Sequence, residues 1–224
     1  MTRTTTAGRA ARVLSAVGLV GAALLAAPGV GAAQEPDVVS ADADVDGDGA
    51  ANPVTLQQVA PGTQLLRVGL ADEFVDAQVS GDETLPLIVP FVVDVNGDGR
   101  DELILARSLG ANTTTFEVWS LDDGRLHAVT TEDGAPWWLY EGGGVSAIGA
   151  YGCVPGTPGR QLRDVQARLD DAASGDGTTR YDGAVVTYAV AGGVAHPAAT
   201  EPLQDVTRDD PRVQVDPATC APLD

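Results

Sequence analysis

The sequence predicts an all-β chain, built from antiparallel, blade-like repeats that form an open or sandwich-like sheet assembly and not a complete propeller. Three observations carry this. Apolar runs of four to eight residues alternate with Gly, Asp and Pro punctuation through most of the chain. Several runs have a period near two, as in FEVWSL at 116–121, where Phe116 and Val118 point one way and Glu117, Trp119 and Leu121 the other. An acidic, glycine-bearing hexapeptide beginning at Asp44 also returns at Asp94, 94 − 44 = 50 residues later.

The first 33 residues read as a secretory signal peptide. Arg3, Arg9 and Arg12 precede an apolar run at 13–27, then Pro28-Gly29 and the small residues Gly31-Ala32-Ala33, with no acid before Glu35. A fifteen-residue run falls short of the roughly 20 residues a bilayer span needs. The protein is therefore expected to be secreted, with retention at the cell surface as a variant and no integral membrane segment once the signal is removed. Residues 34–43 read as a flexible lead, 44–195 as the β-repeat domain and 196–224 as a C-terminal tail.

Within the domain, strands are expected at 54–59, 65–70, 85–95, 102–107, 113–121, 126–131, 137–140, 161–169 and 183–191. Asp122-Asp123-Gly124 and Asp133-Gly134 are hairpin turns by composition. Glycines 142–144 read as a turn or bulge before the strand VSAIGAY. The stretch 162–173 lacks Gly and Pro and keeps a helix open as an alternative. Cys153 and Cys220, the two cysteines, favour one disulfide in an oxidising compartment, which would tether the tail.

The repeated hexapeptides carry the chemistry. Calcium takes six to eight oxygens around a tightly turned backbone, and glycine at the sixth position permits the turn. In the second loop Asp94, Asn96 and Asp98 stand at positions 1, 3 and 5, Gly99 at 6, the Arg100 carbonyl at 7 and Glu102 at 9, while Asp101 reads as solvent-facing. In the first, Asp44, Asp46 and Asp48 are followed by Gly49, the Ala50 carbonyl and Asn52, whose neutral oxygen makes this the less complete set. Position 12 is Thr55 or Leu105, so neither loop is an EF-hand. The competing reading is that the carboxylates simply cap backbone N–H groups in good turns.

The segments DVNGDGRDELIL at 94–105 and ADVDGDGAANPVTL at 43–56 resemble the FG-GAP and VCBS class of calcium-binding β-repeats, found in integrin-like propellers and many bacterial secreted proteins. The resemblance implies calcium as cofactor, held by Asp94, Asn96, Asp98 and Glu102, with Glu102 in place of the usual final Asp. The first copy departs further at Asn52, and neither copy follows a Phe-Gly…Gly-Ala-Pro segment. The whole is similar to small secreted proteins of actinobacteria.

Formal charge is −19, and loss of residues 1–33 removes three arginines and no carboxylate, giving −22. Such a chain repels phosphate backbones and anionic lipid, which disfavours nucleic acid and favours cations or an extracellular protein or glycan as partner. There is no G-x-S-x-G elbow, phosphate loop or H-E-x-x-H pair. The expected function is thus a secreted calcium-binding β-repeat module with a structural or interaction role. The alternative is a secreted hydrolase acting on glycans through paired carboxylates, for which Glu132, Asp133 and Glu141 beside Trp137, Trp138 and Tyr140 form the best cluster.

Overall fold

The computed structural model describes residues 38–157, 159–171, 174 and 177–222. The stretch read as a signal peptide and the start of the stretch read as a lead lie outside the described residues. Antiparallel sheets make up the described chain, with no closed barrel or propeller among them.

The first sheet is a meander of β1 (Val38–Ala43), β2 (Asn52–Ala60), β3 (Thr63–Gly69) and β4 (Phe74–Ser80). Alternation sets its faces: Val54, Leu56, Leu66 and Val68 are buried, while Pro53 before Val54 and Arg67 between Leu66 and Val68 are exposed. The second sheet begins with β5 (Phe91–Val93), β6 (Glu102–Leu109), β7 (Thr113–Asp122) and β8 (Arg125–Ala128), where β6 pairs β5 and β7, and β8 pairs β7. It continues through β10 (Trp138–Gly142), β11 (Ala147–Pro155), β12 (Arg160–Leu169), β13 (Tyr181–Ala191) and β14 (Val194–Val206), and ends on β9 (Thr130–Thr131), which lies parallel to β14. The sheet curls: Leu126 pairs Leu121 on β7, and four residues on Thr130 pairs Val194 on β14.

The same register returns down the chain. Ala43 opposes Asn52 and Val93 opposes Glu102, each partner displaced by 50 residues (93 − 43 and 102 − 52). Val54 opposes Val68, and Ile104 opposes Val118, again 50 apart (104 − 54 and 118 − 68).

Both faces of β6 are buried, which is why its sequence LILA is apolar without alternation. Leu103 and Leu105 join Trp119 and Leu121 in a core shared with Val54, Leu56, Leu66, Val68 and Val79 of the first sheet. Ile104 and Ala106 face a second core with Phe116, Val118, Leu139, Tyr151 and Leu162. The β5–β8 segment is therefore a middle layer, and the connection entering β6 is held from both sides.

Several elements differ from the sequence reading. Strand β1 lies inside the stretch read as a lead, and β14 runs to Val206, inside the stretch read as a tail. The run at 85–95 yields only β5, because Pro86 and Pro90 cannot donate to a ladder. Strand β4 was not signalled, since VDAQ breaks its apolar pattern with polar residues on the exposed face. The run at 161–169 is strand as read, β12, paired on both edges by β11 and β13, and the helix kept open as an alternative does not form there.

The Asp122–Arg125 hairpin forms as read, with Asp123 and Gly124 at φ 49° and 71°. Beyond β14, a short 3₁₀ turn at Pro217–Cys220 lies along β11, where Thr219 Oγ1 accepts the Cys153 N–H at 2.7 Å and Cys153 is disulfide-bonded to Cys220. No helix among the described residues is long and apolar enough to cross a membrane.

Candidate metal centre

The first loop connects β1 to β2 and the second connects β5 to β6. Each is organised by its leading aspartate. Asp44 takes the Gly47 N–H on Oδ1 and the Gly49 N–H on Oδ2, both at 2.9 Å. Asp94 takes the Gly97 N–H at 2.6 Å and the Gly99 N–H at 3.3 Å. These contacts require the amides to turn inward, which sets Gly47 and Gly97 at φ 75° and 72° and Gly49 and Gly99 both at 83°.

Positions 3 and 5 hold the next turn. Asp46 and Asn96 accept the N–H of Asp48 and Asp98, and Asp48 and Asp98 accept the N–H of Ala50 and Arg100 at 2.7 and 2.9 Å. Ala50 and Arg100 thus stand at the exposed rim. Position 9 closes the base: Asn52 Oδ1 accepts the Val45 N–H at 3.1 Å, and Glu102 Oε2 accepts the Val95 N–H at 2.9 Å.

The loops are joined to each other. Asp101 Oδ2 accepts the Asp44 N–H at 2.8 Å, and the Asp101 N–H donates to the Asp44 carbonyl at 2.7 Å. Asp101, read from its sequence position as solvent-facing, is therefore half-buried and bonded to the first loop. Burial raises its pKa, opposed by the Asp44 N–H and reinforced by the charges of Asp94 and Asp44. No sequence signal marks this contact, because its partner is 57 residues away.

The electrostatics of the two loops differ. One ligand oxygen from each of Asp44, Asp46 and Asp48 lies within 4.8 Å of the others, an arrangement that could hold a metal ion. In the second loop the Asn96 amide nitrogen stands 3.1 Å from Asp98 Oδ2 and 3.4 Å from Glu102 Oε1, so a neutral donor already bridges two carboxylates. For Asn96 to ligate a cation its amide must turn to present oxygen. Glu102 is 4 % exposed, and burial pushes its pKa up to about 8, with the charges of Asp98, Asp94 and Asp101 adding to the rise and the Val95 N–H opposing it.

Beside the second loop, Asn96, Asp98, Asp101, Glu102, Ser120 and Asp122 border a cavity of about 30 Å³. Asp122 Oδ2 is shared by Ser120 Oγ and His127 Nε2, each at 2.9 Å.

The donor set suits a hard cation: every side-chain ligand offered is oxygen, from carboxylate or amide. Each oxygen of Asp44 and Asp94 spends one lone pair on a loop amide and keeps another. Backbone capping and cation binding therefore use the same residues without excluding one another. Asp44, Asp46, Asp48 and Ala50, with Asn52 at the base, would hold the ion in the first loop, and Asp94, Asn96, Asp98, Arg100 and Glu102 in the second.

In the other candidate cluster, Glu132 and Asp133 are each engaged by a neighbouring side chain. Trp137 is buried against Tyr188 with ring centroids 5.1 Å apart, while Trp138 is only half-buried, as neighbours on opposite strand faces must be. Glu132 is bound to His196 Nδ1 at 2.9 Å, and Asp133 accepts from Thr131 Oγ1 in its turn. A groove of about 460 Å³ over β11–β13 is bordered by Tyr140, Gln166, Arg168 and Asp182. Asp182 is the carboxylate among its described lining residues, so the pair needed for glycoside hydrolysis is not gathered there.

Fold and site together define an all-β chain with an oxygen-rich acidic centre at two joined loops. No known protein family, curated protein or solved structure matches it.

Proposed function

We propose that this chain is a secreted, calcium-binding β-repeat module of the FG-GAP/VCBS kind, with a structural or interaction role toward an extracellular protein or glycan. The observation that carries the reading is the pair of like loops clamped together through Asp44 and Asp101. Two acidic turns with no further role have no reason to share one hydrogen-bond scheme, one 50-residue register and a direct mutual contact.

Calcium here supplies positive charge to a chain that carries −22 after residues 1–33 are removed. It neutralises the gathered aspartates and ties β1 to β2 and β5 to β6 at their turns. Extracellular calcium sites commonly have a Kd of about 10⁻⁴–10⁻³ M, so loops without a bidentate acid at position 12 still fill outside the cell. The Cys153–Cys220 disulfide fits an oxidising compartment.

Calorimetric calcium titration of the chain without residues 1–33 tests the reading. Saturable binding below millimolar calcium is expected, with Asp44→Ala and Asp94→Ala each removing part of the heat. Absence of saturable binding by the unaltered chain at millimolar calcium would sink it.

A further inference from the structure

The second loop is gripped by parts of the chain far from it in sequence. Arg160, the first residue of β12, donates from Nη1 to the carbonyls of Asp94 and Ala221, both at 2.8 Å, and of Cys220 at 3.1 Å. Its own N–H donates to the Asn96 carbonyl at 2.8 Å. The Asp94 N–H in turn donates to the Cys220 carbonyl at 3.2 Å. The fit is close enough to exclude side chains: a Cβ on Gly97 would lie 2.8 Å from the Arg160 nitrogen, and one on Gly159 would lie 2.5 Å from the Asn96 oxygen.

We infer that Arg160 is the positioning residue of the second loop and that, through the Cys220 carbonyl, the disulfide-tethered C-terminal segment sets how well that loop is formed. The guanidinium holds the backbone of position 1 directly, and the Arg160 amide holds that of position 3. A charged donor shared among three carbonyls contributes more than a neutral one. Freed of it, Asp94 and Asn96 lose the frame that aims their side chains. The first loop has no such arginine bonded to its backbone among the described residues, so the dependence belongs to one loop and not to both.

The consequence for cation affinity rests on the calcium reading above; the consequence for loop order does not. Residues that orient ligands typically change metal affinity by about 10–100-fold when removed. Arg160→Met keeps much of the stem and removes the guanidinium. Amide hydrogen exchange in calcium-free buffer is expected to accelerate at least about tenfold at residues 95–100, with β2, β3 and the first loop unchanged. The paired variant Cys153→Ser/Cys220→Ser is expected to reproduce that local change in weaker form. In calcium titrations, Arg160→Met weakens the second-loop site about tenfold and leaves the first-loop heat in place.

Unchanged exchange at 95–100, or an equal rise across β2 and β3, overturns the inference, the latter because it marks general loss of stability. If the unaltered chain takes up no calcium while exchange rises at 95–100 alone, the calcium reading falls and the mounting role of Arg160 stands.

Discussion

The two acidic loops share a backbone and differ in their surroundings. In each, the first aspartate binds the amides of the third and fifth residues after it, and the ninth position binds the amide of the second. Asp44 is half-buried and its two amide partners are exposed, whereas Asp94 is 3 % exposed and its backbone is bonded to Arg160 and to Cys220 of the C-terminal segment. The first loop gathers three aspartates with no side-chain donor bonded between them among the described residues, and the second places a side-chain amide nitrogen between two acids. The difference separates two jobs that one motif can perform. The three aspartates of the first loop could hold a metal ion, and the backbone of the second is bonded to β12 and to the C-terminal segment.

Replacing the leading aspartates one at a time should separate these jobs most sharply. Asp94→Ala strands the part-buried Gly97 N–H and weakens a turn beneath packed chain, for an expected loss of about 2–4 kcal/mol, since a buried donor left unpaired costs about 1–3 kcal/mol. Asp44→Ala leaves exposed amides that water can satisfy, and about 1 kcal/mol is expected. Urea midpoints in a calcium chelator measure both. Equal losses would show that burial does not distinguish the loops.

The glycines at position 4 give a second, smaller contrast. Both have positive φ, and alanine there carries a strain of about 1–2 kcal/mol. A methyl on Gly47 meets the Arg100 side chain, with Cγ at 2.9 Å, which can swing away. A methyl on Gly97 meets the Arg160 backbone nitrogen at 2.8 Å, which cannot. Gly97→Ala should therefore cost about 1–2 kcal/mol more than Gly47→Ala, since overpacking against fixed atoms adds about that much. Thermal unfolding of the two variants side by side decides it, and a reversed order would remove the mounting of the second loop on β12.

How far this contrast was legible in the sequence depends on the range of the contacts. Alternation in 54–59 and 113–121, the Asp123-Gly124 turn and the spacing of Asp94, Asn96 and Asp98 are local, and the corresponding strands, hairpin and turns formed as read. Two cysteines favoured one disulfide without requiring it, and the Cys153–Cys220 bond is formed. What ranked the loops was not local. Composition made the second loop the fuller ligand set, yet the orientation of the Asn96 amide is fixed by its neighbours in space, and Asp101 and Arg160 reach partners 57 and 66 residues away. Strand β14 stayed hidden for a different reason: with Pro197, Pro202 and mostly exposed residues, its place comes from pairing with β13 and not from its own pattern.

A comparison of carboxylate loops across pH also needs a background that does not itself titrate, and Asp164 disturbs it. This side chain on β12 is 3 % exposed, its Oδ2 accepts from Gln166 Nε2 at 2.7 Å, and its Oδ1 has no hydrogen-bond partner among the described residues. Burial raises its pKa from 3.8 to about 6, with the Gln166 bond opposing the rise. The folded chain therefore binds the proton more tightly than the unfolded chain does. The stability that comes from protonated Asp164 is complete below pH 3.8 and is lost as pH rises through about 6. Asp164→Asn keeps an oxygen for Gln166 and carries no charge, so it should match the parent at pH 3.5 and exceed it by about 1–2 kcal/mol at pH 8, at 1.36 kcal/mol per pKa unit less relaxation. Urea unfolding at both pH values in chelator measures the gap. A gap that did not widen with pH would mean that Asp164 is charged at no cost in the folded chain, and any pH trend in the loops would then belong to the loops themselves.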